Sequence, residues 1–289
     1  MVTDAADRPA LDALPTADVI ALLLGAEERV LPAVRAAAAD LARAAELVTR
    51  TVTAGGRLVF AGAGTSGRLA AAEAAELPGT FGIPAALCCA VIAGADAETP
   101  DDAAEDDDEA GAAGVSVLDL GPDDVVVAVA ASGRTPFTVA AAKAARAAGA
   151  AVIVIVTAAG SPLAAGADVA VELAVGDEVL RGSTRLTAGT AQKVALNALT
   201  TAGMAAAGRL HGDLMIDVVP ANAKLRARLA GIVAEIAGCA PGAAADALAA
   251  CAGDGRAAVL QIALDLSPAE AIARAATHSS LRSALAAGS

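Results

Sequence analysis

Two short stretches of this sequence carry the residue types that grip a phosphate. Residues 62–68 read GAGTSGR and residues 131–136 read ASGRTP. Glycine lets backbone N–H groups approach an anion, hydroxyls donate hydrogen bonds, and an arginine adds a planar fork that matches phosphate oxygens. Each stretch follows an apolar run and opens a helical segment, whose N-terminus would add partial positive charge. Gly62, Gly64 and Gly67 also satisfy the G-x-G-x-x-G dinucleotide pattern, but the acidic residue expected roughly 20 positions later is missing between Gly82 and Ala90. Thr65 and Ser66 between the glycines suit a monophosphate better. One such loop alone can be an ordinary tight turn; two of them favour phosphate. A third cluster, Arg181-Gly182-Ser183-Thr184-Arg185, precedes a long helical stretch carrying Lys193. There a solvated helix start is as good a reading as an anion site.

The candidate substrate contacts are therefore Gly64, Thr65, Ser66, Gly67 and Arg68 in the first loop and Ser132, Gly133, Arg134 and Thr135 in the second. Ser183, Thr184, Arg185 and Lys193 form the third group. Metal chemistry has little support, because His211 and His278 lack ligand spacing and the four cysteines form no C-x-x-C pair. No metal or other cofactor is expected. Cys88 and Cys89 read as small buried residues pointing to opposite faces of a strand. What remains is carboxylate chemistry, where apolar surroundings can raise a pKa and make an acid useful at neutral pH. Glu73 and Glu76 stand in an otherwise apolar helix, three positions apart, so at least one could face the sheet edge. Glu105 lies in an acidic run, and nothing local separates it from Asp106, Asp107, Asp108 or Glu109.

The elements that must hold these groups follow from hydrophobic pattern. Residues 16–54 carry leucine and valine at helix-like intervals and stop at Gly55-Gly56. Apolar runs at 57–61, 85–92, 125–130, 151–156 and 168–173 are continuous rather than alternating, and helical segments separate them. That pattern predicts a doubly wound α/β fold with a five-stranded parallel sheet covered on both faces. The helix at 69–77 is expected to close at Pro78-Gly79, and a long one runs over 189–208. Beyond Asn222 the pattern breaks into short helices, with Ser267-Pro268 as an N-cap and first-turn proline. The expected division is an N-terminal helical segment (1–54), a phosphate-binding domain (55–221) and a C-terminal helical cap (222–289).

Composition narrows the partners. A net charge of -13 shows no basic face for nucleic acid. Beyond roughly 8 Å that charge is screened, so local arginines can still attract a small anion. Aromatic residues make up 1% of the chain, which leaves Ala, Val and Leu to pack the core. No apolar run is long enough for a bilayer span and the N-terminus lacks a secretory signal, so a cytosolic protein is expected.

The stretch GAGTSGRLAAAEAAE at 62–76 resembles the signature of the N-acetylmuramic acid 6-phosphate etherases, of the sugar-isomerase (SIS) superfamily. So do ASGRTP at 131–136, GSTRLTAGTAQK at 182–193 and the segments around 214–225. The resemblance implies a SIS, flavodoxin-like fold, a UBA-like cap and a homodimer. It implies cleavage of a lactyl ether from N-acetylmuramate 6-phosphate, leaving N-acetylglucosamine 6-phosphate and D-lactate. It further implies Glu76 as proton donor, Glu105 as base, and phosphate contacts from Thr65, Ser66, Ser132, Gly133 and Thr135. Glu73 and Ala75 stand where the family has Asp and Ser, and the opening motif from Thr3 to Asp12 is shorter than usual. The alternative is a catalytically silent sugar-phosphate sensor of the same ancestry.

Overall fold

The computed structural model describes residues 10–94 and 102–287. The opening segment through residue 9 and the start of the acidic run, 95–101, lie outside them. The helical N-terminal region is three helices: α1 (Thr16–Glu27), α2 (Val30–Ala36) and α3 (Ala38–Ala54). Gly55 ends α3 in the left-handed conformation, as the Gly-Gly stop predicts.

Among the described residues the sheet has five parallel strands: β1 (Leu58–Gly62), β2 (Cys88–Ile92), β3 (Val125–Ala130), β4 (Ala151–Val156) and β5 (Val169–Glu172). Their spatial order is β2-β1-β3-β4-β5. The strand order reverses between β1 and β3, which pair with Gly62 opposite Val129. β3 and β4 are buried along nearly their whole length, which is what a run of Val and Ile without a polar residue requires in a sheet covered on both sides.

One face is covered by α2, α3, α4 (Gly64–Phe81) and α8 (Thr187–Ala206), the other by α5 (Asp108–Ser116), α6 (Pro136–Ala147) and α7 (Pro162–Ala165). Cys88 packs into the first layer and Cys89 against the second, on opposite faces as alternation demands. Small residues bring these layers close: a Cβ on Gly203 of α8 would press into Val48 of α3.

Several boundaries differ from expectation: α4 begins at Gly64 rather than at residue 69, and α8 covers Thr187–Ala206 rather than 189–208. α4 does not stop at Pro78 but runs through it to Phe81, ending at Gly82, whose φ of +63° is the left-handed turn that releases the chain. Pro84 and a single 3-10 turn (Ala85–Leu87) delay β2 until Cys88. At the far end, α9 (Ala223–Ala237), α10 (Pro241–Ala250), α11 (Gly255–Leu264), α12 (Pro268–Thr277) and α13 (Leu281–Ala286) gather with Ile216 and Val218 around a separate apolar cluster. Ser267 and Glu270 form a reciprocal capping box at the start of α12. No single helix among the described residues is long and apolar enough to cross a membrane.

Candidate active site

Both glycine-hydroxyl loops leave the carboxyl ends of neighbouring strands, β1 and β3, at the point where the strand order reverses. In open parallel sheets that crevice is where ligands bind. The first loop is tight because Gly62 and Gly67 touch: a Cβ on Gly67 would lie 2.7 Å from the Gly62 carbonyl oxygen. α4 then begins at Gly64, with φ +53°, and its N-cap residue Ala63 offers no side-chain cap. The positive end of α4 is therefore not neutralised by a capping side chain. In the second loop Gly133, at φ +62°, lies against Ser161, whose hydroxyl a Cβ there would strike. Ser161 caps α7. α6 starts at Pro136 behind Thr135, again without a side-chain cap. Ser132 Oγ accepts the Arg134 N–H at 3.2 Å.

Glu105 is set apart from its acidic neighbours by position. It lies on a 3-10 turn (Asp102–Asp106), half-buried, and its carboxylate rests on the bare Cα of Gly64. Any side chain at Gly64 would displace it. One carboxylate thus sits beside the start of α4. Asp107 instead caps α5 through the Ala110 N–H, while Asp108 and Glu109 are exposed.

α8 starts close to the same rim and runs alongside α4. A Cβ on Gly189 would lie 3.6 Å from the Thr65 methyl, and Ser66 donates to the Gln192 carboxamide at 2.9 Å. The entry to α8 differs from the other two. The buried Glu178 carboxylate accepts the N–H groups of Thr187 and Ala188, at 3.1 and 2.9 Å. An anion approaching Ser183, Thr184 or Arg185 would meet side chains, because these helix amides are engaged. Arg68, Arg134 and Arg185 are exposed, and Arg68 donates to Thr65.

Further along α4 the two candidate carboxylates part company. Glu73 is buried, 4% exposed, and accepts from Lys193 and from the Thr200 hydroxyl, both at 2.6 Å. Glu76 is exposed and lies 3.8 Å from the same lysine. Sequence reasoning left open which of the pair turns inward, and the contact with α8 decides it for Glu73. Lys193 is consequently committed to two glutamates rather than to the first loop. Glu76 also stands far from Glu105 within one chain, since α4 rises about 18 Å between Gly64 and Glu76. His211 and His278 lie in the connection after α8 and in the cap, away from the loops.

A match to the SIS domain spans residues 26–157. The N-acetylmuramic acid 6-phosphate etherase of Rubrobacter xylanophilus is 42% identical over 98% of this chain and 94% of its own length. That of Deinococcus radiodurans is 43% identical over 93% and 88%. The chain belongs to the N-acetylmuramic acid 6-phosphate etherase family. Among solved structures, a phosphoheptose isomerase from Francisella tularensis shares the fold, with a TM-score of 0.51 over 66% of this chain and all of its own, at 19% identity. A second, from Neisseria gonorrhoeae, gives 0.50 over 65% and 98%, at 21% identity. The etherase membership extends across the cap, whereas these isomerases cover about two thirds of the chain. GAGTSGR and GTAQK, which carry the resemblance to the etherases, are the segments that meet where Ser66 bonds Gln192.

Proposed function

We propose that this chain cleaves the D-lactyl ether of N-acetylmuramic acid 6-phosphate, giving N-acetylglucosamine 6-phosphate and D-lactate. The observation that carries the reading is the pairing of two phosphate-suited segments on adjacent strands, with the Glu105 carboxylate lying on Gly64 at the start of α4. Thr65, Ser66, Ser132, Gly133 and Thr135 hold the 6-phosphate. Arg68 and Arg134 add positive charge at the mouth, and Ser183, Thr184 and Arg185 edge it with side chains only.

With the phosphate fixed, the open-chain sugar presents an aldehyde at C1, which makes the C2 proton removable. Glu105 takes that proton, the electron pair forms the C2–C3 double bond, and the C3–O bond to lactate breaks. A general acid protonates the departing oxygen. Water then adds at C3 and a proton returns to C2, so the net change is one water consumed and one lactate released. This is a lyase-type path closed by hydration. Positioned acid and base of this kind contribute about 10²- to 10⁴-fold each.

Glu76 is the proposed acid, supplied by a second copy of the chain. Each group must come within about 3 Å of the atom it serves, and C2 and C3 are adjacent. Two carboxylates separated by the length of α4 cannot both reach them from one chain. A homodimer is further supported by α1, an apolar helix with no buried residue that exposes Ile20, Leu22 and Leu24. Such a face is what a second copy would cover. Four free thiols fit a reducing compartment, and we assign the enzyme to the cytoplasm.

The test is D-lactate release from N-acetylmuramate 6-phosphate. Glu76→Gln and Glu105→Gln chains, each inactive alone, should regain about a quarter of wild-type activity when mixed and allowed to exchange subunits. No recovery would place both groups in one chain, and no lactate from the wild-type protein would end the reading.

A further inference from the structure

Gln192 is the group that the mechanism above does not use. Its side chain is fully buried, at 0% exposure, on the face of α8 that meets the first turn of α4. Its Oε1 accepts the Ser66 hydroxyl at 2.9 Å, while its Nε2 is buried with no hydrogen-bond partner among the described residues. A buried N–H₂ left unpaired costs about 1–3 kcal/mol, so such a group calls for an explanation.

The polarity of the bond supplies one. A phosphate dianion only accepts, so a serine helps to hold it when its O–H points at it. With Oε1 toward Ser66, the serine proton is spent on the carboxamide and a lone pair faces the rim. Half a turn of the carboxamide exchanges its ends. Nε2 then donates to Ser66 Oγ, the serine proton is released toward the rim, and the unpaired atom becomes a carbonyl oxygen, the less costly of the two to leave unmatched. We propose that Gln192 is a positioning residue that sets the direction in which Ser66 donates, so that the start of α4 grips the 6-phosphate only when the carboxamide has turned. The inference rests on Ser66 being a phosphate contact, as argued above.

Calorimetry with N-acetylglucosamine 6-phosphate and the full chain tests it. Gln192→Met keeps the volume and removes both hydrogen-bonding ends, a swap that cores tolerate. It is expected to weaken binding about tenfold, the scale of one hydrogen bond to a charged group, and to raise KM while leaving kcat within about twofold. Ser66→Ala should weaken binding by a similar factor, and adding Gln192→Met to it should change nothing further. Gln192→Glu, of native shape, can only accept when ionised, and is expected to bind more weakly than Gln192→Met. Equal affinity in Gln192→Met and wild type, or an equal loss with Ser66 and with Ala at that position, overturns the inference and leaves the phosphate site standing. A wild-type protein that binds no sugar phosphate overturns both.

Discussion

The two edges of the sheet handle polar groups in opposite ways. At the amino edge charges are matched to one another. Arg57 is wrapped around Asp124, donating through its backbone N–H at 2.7 Å and through its guanidinium at 3.2 and 2.6 Å, and it also reaches the carbonyls of Leu118 and Asp119. Arg256 grips Asp217 and the carbonyls of Gly208 and Ser279, tying α11 to the segment that follows α8. A cleft of about 580 Å³ lies there, lined by Asp217, Arg256 and His278. At the carboxyl edge α4 and α6 begin without side-chain caps, hydroxyls cluster, and a carboxylate rests on bare glycine. One edge is finished by its own side chains; at the other, two helix starts carry no side-chain cap. Substitutions at the first should change stability, and at the second catalysis.

The sharpest break of that comparison is Glu105→Gln. Loss of the proposed base should lower kcat for lactate release about 10³-fold while the melting temperature moves by no more than about 2 °C. A comparable fall in stability would make Glu105 a structural residue instead.

Next comes Asp124→Asn at the amino edge. It should cost about 2–3 kcal/mol in denaturant unfolding and leave KM unchanged, since a buried hydrogen-bonded ion pair is broken far from the loops. Burial by itself would raise the Asp124 pKa, but hydrogen bonds from the Arg57 side chain and from the Arg57 and Gly121 amides outweigh it and hold the carboxyl below its ordinary value. A carboxylate depressed in the folded state stabilises at pH above its unfolded pKa of about 3.9, and that contribution drains away as pH falls through the folded value. The wild-type protein should therefore lose stability more steeply than Asp124→Asn below about pH 4. Parallel curves would remove Asp124 as a source of the acid dependence.

The smallest expected effect is the paired change Ser132→Ala with Thr135→Ala. Two hydroxyls lost from the second loop should raise KM for the phosphorylated sugar about 10- to 30-fold at nearly constant kcat. An unchanged KM would remove that loop from the phosphate site.

Much of the fold was legible because burial on both sides of a parallel sheet leaves an unbroken apolar run. β3 and β4 match the runs at 125–130 and 151–156 residue for residue. Helix boundaries were less legible. Pro78 reads as a stop, yet Gly82 ends the helix, because its left-handed backbone is what turns the chain. The division of residues 16–54 into three helices breaks no periodicity strongly enough to be seen. In the candidate site, the glycine-hydroxyl segments at the strand ends stood out by residue type, but Gly64–Arg68 open α4 rather than form a loop. The pairing of Glu73 with Lys193 and Thr200 was not legible, because three-residue spacing cannot say which carboxylate meets α8. Glu178 gave no local signal either. It sits before a Gly/Ser/Thr/Arg stretch that resembles the two strand-end segments in composition, and only the fold shows it holding the first amides of α8.

The chain contains no tryptophan or tyrosine, and its three phenylalanines, Phe60, Phe81 and Phe137, are all buried. Optically the molecule is nearly dark: it absorbs little at the wavelength used to follow most proteins and lacks the usual intrinsic fluorescence. A single tryptophan introduced beside either loop would be the sole strong emitter in the molecule, and its signal would report on that loop with no background to subtract.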